Sequence, residues 1–342
     1  MKQIGFFDEG ERLERLRSMG DPLVKLAAYV DFEMFREGLN EVFAKEDRGL
    51  GGRPPFDYVL MFKILLLQQL YNIADDNTEY QINDRLSFQR FLGLGLGDKV
   101  PDAKSIWRFR DVLSKSGKAR GMFDLFNAML KGQGVITRRG TIVDATFAQS
   151  PRQRNSREEN EEIKQGGKPE WKESKRRQKD TDARWTKKGG QTHFGYKDHV
   201  AVDSDSKIIT NFSVTDAAVH DSQQMENLIT KEDEVVYGDS AYMGKKIQRA
   251  AKKKNPKIKL KIQSRATRNH PLTDRQKAMN RTKAKTRCRV EHVFATMKSG
   301  MGGLTIRSIG IERAECAITL KNLAYNMRRY VFLSQPPPLG AV

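Results

Sequence analysis

The sequence predicts an α+β protein: an all-helical N-terminal part, then a mixed five-stranded sheet flanked by helices. Three observations carry this prediction. Apolar residues recur at helical spacing through the first third, short apolar strands begin at Thr141, and a period of two holds from Gln191. The expected boundaries are 1–135 for the helical part, 136–333 for the sheet part with a charged insertion at about 150–190, and 334–342 for a Pro-rich tail. At 342 residues the chain is long enough for two domains with separate cores.

In the helical part, Arg12–Met19 is a charged helix with Leu13 and Leu16 on one side. Asp21-Pro22 supplies an N-cap with proline at the first helical position, and Leu23, Leu26, Val30, Phe35, Leu39 and Phe43 follow at helical spacing. A Gly- and Pro-rich loop, Arg48–Pro55, leads to Phe56–Tyr71, apolar nearly all round and therefore the buried central helix. Asp75–Phe91 is one further helix, closed by Gly93, Gly95 and Gly97. Asp102 caps the next helix, which shows Trp107, Arg108 and Arg110, the mixture of aromatic and arginine found where a helix meets DNA. Ile106, Trp107 and Leu113 as core, with the arginines wet, account for the same pattern.

Thr141–Ser150 is a buried strand ending in a polar turn. Between Ser150 and Gly190 mixed charge replaces apolar patterning. That stretch is expected to be flexible or partly helical, with Trp171 and Trp185 anchoring it. His193–Val202 and Lys207–Val214 form a hairpin around Asp203-Ser204-Asp205-Ser206. Asp221–Leu228 is a helix, Val235–Gly238 a strand, Gly244–Lys253 a basic helix and Ile258–Gln263 the last strand. Leu272–Arg281, Thr286–Ser299 and Glu312–Phe332 are helices. This succession is the ribonuclease-H-like order, in which the first strand is central and the strand ending at Asp239 lies beside it.

Three acids stand out against this frame. Asp144 lies inside the first strand, where a bare carboxylate costs several kcal/mol or more unless a metal, a cation or a proton neutralises it. Asp239 ends a second apolar strand, and Glu291 sits on a helix. Singly, each has a bland reading, a turn or cap for the Asp residues and a solvated face for the Glu. Two strands and one helix each presenting an acid, in a strongly basic chain, favour one metal site. Two divalent ions roughly 3.5–4 Å apart can activate an attacking oxygen and stabilise a leaving one at phosphorus, and hard oxygen ligands suit Mg²⁺. No side-chain nucleophile is then needed, although Tyr242 stands close to Asp239. Arg287, Glu291 and Lys298, four and seven apart, fall on one face of a single helix.

The net charge is +19, and Lys245–Arg289 alone holds eighteen Lys or Arg and one acid, Asp274. A duplex phosphate backbone is the expected partner for that block. Two cysteines are too few for a disulfide framework, so a reducing cytoplasm is expected. No signal peptide or membrane span is predicted.

The segments GRPPFDYVLMFKILLLQQLYN, NDRLSFQRFLGL, VPDAKSIWRFRDVL, IVDATF, HFGYKDHVAVD and YGDSAY, with the RxxxExxxxxxK run of Arg287–Lys298, together cover nearly the whole chain. It resembles the DDE transposases of bacterial insertion sequences, specifically the family numbered five. The resemblance implies that Asp144, Asp239 and Glu291 form a metal-binding catalytic triad for two Mg²⁺ ions, with Mn²⁺ able to substitute. It implies that Arg287 and Lys298 serve DNA strands at the active site, and that the helical part binds the terminal inverted repeats as a DNA-binding domain. Lys197, within HFGYKDHVAVD, joins Trp107, Arg108 and Arg110 as a candidate DNA contact. A homodimer on double-stranded DNA and a bacterial, nucleoid-associated location follow. In the related signature a tyrosine often stands three residues before the arginine; here that position is Ala284, and its role passes to no other residue. Two alternatives stay open: a ribonuclease-H-like nuclease that only cuts, and a DNA-binding descendant without catalysis.

Overall fold

The computed structural model describes residues 8–44, 54–268 and 270–335. The loop expected over 48–55 lies for the most part outside these residues, as does the tail 336–342. The chain divides into one unit of residues 1–123 and 323–342, and a second of 124–322. Among the described residues no helix is long and apolar enough to cross a membrane.

The first unit is helical: α1 (Asp8–Ser18), α2 (Pro22–Tyr29), α3 (Arg36–Phe43), α4 (Tyr58–Tyr71), α5 (Asp75–Asp84), α6 (Leu86–Leu92), α7 (Ala103–Ser116) and the start of α8 (Ala119–Gly132). Its centre is α4, which buries Val59, Met61, Phe62, Ile64, Leu65, Leu66, Leu67 and Gln68. Full burial of each such aliphatic or aromatic side chain is worth roughly 1.5–3 kcal/mol. Asp57 caps the helix by accepting from Leu60 N–H at 2.9 Å, and Asn72 ends it in the left-handed region. Around it Phe35 meets Phe62 at 5.0 Å and Phe43 stacks on Phe109 at 4.0 Å. The single helix expected over 75–91 is instead two, because Arg85 is extended and serves as C-cap of α5 and N-cap of α6.

The second unit has the ribonuclease-H-like arrangement, built on a sheet of β1 (Thr141–Gln149), β2 (Arg184–Lys188), β3 (Gln191–Asp203), β4 (Ile209–Asp216), β5 (Val235–Gly238) and β6 (Lys259–Ile262). The order is β2-β3-β1-β5-β6, with β4 also on β3. β1 is central, antiparallel to β3 and parallel to β5. The sheet has six strands rather than five, because the insertion contributes β2. Gly189 and Gly190, both at positive φ, turn β2 directly into β3. Gly195 is required by close approach: a Cβ there would stand 2.3 Å from the Ala148 carbonyl oxygen of β1.

The insertion is also more ordered than its composition suggests. It holds α9 (Arg157–Lys164) and α10 (Glu173–Arg176), with Ile163 and Trp171 buried. The Trp171 indole donates to Glu159 at 2.6 Å, and the Asp180 carboxylate, itself buried, accepts from the Tyr196 hydroxyl of β3. Polar anchors thus replace the aliphatic core it lacks. Trp185 lies against Phe194 at 4.9 Å.

The remaining elements are α11 (Met225–Leu228), α12 (Lys245–Lys254), α13 (Asp274–Arg287), α14 (Arg289–Ala295) and α15 (Ile311–Ser334). One core joins Val143, Ala201, Met225, Leu228, Val236, Tyr242, Ala251 and Ile262. Because side chains alternate along a strand, Val143 serves this core while Asp144 points to the other face, where α14 lies along β1. The helix expected over 286–299 is interrupted. Cys288 separates α13 from α14, and Thr296–Gly300 widens into a π turn.

Candidate active site

β1 and β5 run parallel, with Ile142 opposite Tyr237. Carrying that register two residues on sets Asp144 beside Asp239, just past the end of β5. Asp239 is held by its local fold, since it caps the short turn Ser240–Met243 and its Oδ1 accepts from Ala241 N–H at 2.9 Å. Gly238 before it lets the Tyr242 ring lie close: a Cβ would meet Tyr242 Cδ2 and Ile262 Cδ1 at 3.1 Å and Val143 Cγ2 at 3.3 Å.

Glu291 arrives in the first turn of α14. Its link to Asp144 is a single guanidinium nitrogen. Arg287 Nη1 stands 3.2 Å from Asp144 Oδ2 and 3.6 Å from Glu291 Oε1. Asp144 Oδ1 accepts from Ala145 N–H at 2.8 Å. Burial pushes the Asp144 carboxyl up to about 6; the Ala145 N–H and Arg287 work against that, while Asp239 and Glu291 add to it. Asp144 is 15% exposed and Glu291 59%.

Asp144, Asp239 and Glu291 therefore share one neighbourhood, with Arg287 inserted among them. Among the described residues no three His, Cys, Asp or Glu are closed into a metal-ligating group. The donor chemistry is of the kind that suits a hard divalent cation: Asp144 is mostly buried, the charges of Asp239 and Glu291 reach it, and Arg287 bridges Asp144 and Glu291.

The other residues singled out from the sequence divide into three groups. Trp107, 51% exposed, and Arg108 lie on the open face of α7, whose N-cap is Asp102 as expected. Lys298 is exposed in the π turn, so the expectation that one continuous α-helix aligns it with Arg287 and Glu291 is corrected. Lys197 and Arg110, also expected as DNA contacts, each make internal contacts. Lys197 is buried and reaches the Val219 carbonyl at 2.7 Å and Asp221 at 2.9 Å. Arg110 grips Asp75 with both terminal nitrogens, at 2.5 and 2.6 Å, and Gln68 Oε1 at 3.2 Å.

Asp221 is a part-buried acid of this neighbourhood that sequence reasoning missed. It sits with Lys197, lies 4.0 Å from His199 Nδ1, and its field reaches the Tyr242 hydroxyl. Two polar residues of β3 on one face, Lys197 and His199, signalled a polar cluster but not its acid. Burial first, then Lys197 and Lys188, hold His199 down to about 4 against the pull of Asp221. The Tyr242 hydroxyl is buried with no hydrogen-bond partner among the described residues. Burial and the charges of Asp144, Asp221 and Asp239 push its pKa well up, which rules against a tyrosine nucleophile.

Residues 136–327 match the family described as Transposase DDE domain. Residues 11–112 match the family described as Transposase domain (DUF772). A cryo-EM structure of the piggyBac transposase synaptic complex with hairpin DNA is similar at a TM-score of 0.46 and 13% identity, over 92% of this chain and 75% of that chain.

Proposed function

Since the chain belongs to the DDE transposases, enzymes that cleave DNA and transfer the cut strand, we propose that Asp144, Asp239 and Glu291 are its catalytic, metal-holding carboxylates. The observation that carries this reading is their proximity: Asp144 within β1 and Asp239 just past β5 fall side by side on neighbouring parallel strands, and one guanidinium ties Asp144 to Glu291. The family generally uses divalent metal ions. Mg²⁺, with Mn²⁺ able to replace it and two ions per site, is the assignment that hard carboxylate oxygens support. Bound there, the ions supply activation of the attacking oxygen and stabilisation of the leaving one.

The chain's own residues hold and orient the DNA. Between Lys245 and Arg289, α12 turns its lysines outward, and α13 carries six Lys or Arg against one acid while burying no residue. A phosphate backbone running toward Glu291 along α13 matches that surface. Trp107 and Arg108 on α7 are the contacts we assign to terminal-repeat DNA, with 1–135 as the repeat-binding part and 136–333 as the catalytic part. The remaining assignments are insertion sequence family five, a homodimer that brings two element ends together, and a nucleoid location in a bacterial cytoplasm.

The test uses purified protein, Mg²⁺ or Mn²⁺, and labelled duplexes carrying the element's ends. Asp239→Asn and Glu291→Gln are expected to lower nicking and strand joining at least about a thousandfold, with duplex affinity and melting temperature close to wild type. Wild-type products from either variant would overturn the triad.

A further inference from the structure

Two of the partly buried arginine–aspartate pairs among the described residues differ in construction. Arg110 and Asp75 in the helical unit meet fork to fork, with both terminal nitrogens at 2.5–2.6 Å and Gln68 completing the set. That is how a permanent ion pair is held. Arg287 uses one nitrogen for two acids, at 3.2 and 3.6 Å, and its buried Nε has no hydrogen-bond partner among the described residues. The guanidinium is short of partners in a place where the carboxylates are short of cations.

The backbone gives this arginine freedom that Arg110 lacks. Arg287 is the last residue of α13, which buries no residue, and Cys288 separates it from α14, whose first turn carries Glu291. The described anchors of α13 are the reciprocal bonds between Asn280 and Ser264 and the Lys283 ammonium on the Ile262 carbonyl. Arg287 thus sits at the junction of the two helices, one residue before Cys288.

We infer that Arg287 is the internal counter-cation of the carboxylate cluster in the metal-free protein, displaced when a divalent ion binds and thereby freed for a strand phosphate. This rests on the reading of Asp144, Asp239 and Glu291 as metal ligands. The arginine and the metal then compete for Asp144 and Glu291, and the competition is reciprocal. Arg287 stabilises the protein without metal and weakens the metal's hold on it. The DNA strand, by taking up the released guanidinium, tightens metal binding in turn.

Mn²⁺ titrations followed by calorimetry on the DNA-free full chain, with thermal melts in chelator, test the exchange on wild type, Arg287→Gln, Arg287→Lys and Asp239→Asn. Arg287→Gln is expected to bind Mn²⁺ about five- to tenfold more tightly. It should melt below wild type in chelator and recover that deficit when Mn²⁺ is added. Arg287→Lys, which keeps a charge on a shorter reach, falls between them. Unchanged or weaker Mn²⁺ binding in Arg287→Gln, while Asp239→Asn loses it, would overturn the exchange and leave the triad standing. Wild-type Mn²⁺ affinity in Asp239→Asn would overturn the triad, and the exchange with it.

Discussion

Helices α4 and α13 are each fourteen residues long and could hardly differ more in what covers them. α4 buries eight residues; α13 buries none. α4 exists because tertiary packing covers most of it, whereas α13 stands on its capping box, its backbone bonds and the side-chain anchors of Asn280, Lys283 and Arg287. One helix is held by the fold, and the other turns a basic surface outward. Apolar patterning reports the first kind of helix, and charge patterning the second.

The difference is broken most forcefully in α4. Leu65→Ala, at a fully buried position, is expected to cost about 2–5 kcal/mol, read as a drop in the denaturant midpoint at unchanged slope. A cost below about 0.5 kcal/mol would mean that α4 is not the centre of its unit. In α13 the reverse holds. Replacing the exposed stripe Lys277, Arg281 and Lys285 by glutamine should move stability by no more than about 0.5 kcal/mol. The slope of log affinity for duplex against log salt should become shallower by roughly 0.9 for each phosphate that is no longer neutralised. An unchanged slope would remove α13 from the DNA path. The smallest effect is local. Thr273→Ala deletes the capping box that Thr273 and Gln276 make, worth about 1 kcal/mol. Amide exchange should quicken within α13 while the global melting temperature stays put; a fall in both would show that α13 supports the fold after all.

What was legible in the sequence follows the same division. Asp144 in an apolar strand, Asp239 at a strand end and the all-apolar α4 could be read because each contradicts or fulfils a local rule of burial. β2 escaped because Arg184-Trp-Thr-Lys-Lys188 shows no alternation, and backbone pairing with β3 defines it. The Gly189-Gly190 turn was its one local signal. The true partners of Arg110 and Lys197, Asp75 and Asp221, lie 35 and 24 positions away in sequence, beyond the reach of helix or strand spacing. The break at Cys288 is invisible for a related reason: Thr286–Ser299 contains no Gly or Pro to mark it.

The pairing of β1 with β5 carries a consequence for the life of the chain before it is an enzyme. Arg287 meets Asp144 across 143 positions, and the second carboxylate reaches the first only by parallel strand pairing. Contacts of such sequence separation form late, after the loop-closure entropy has been met. A half-made or misfolded chain thus carries its basic segments but has no assembled means of cutting DNA. Competence to break a chromosome is withheld until the sheet is whole.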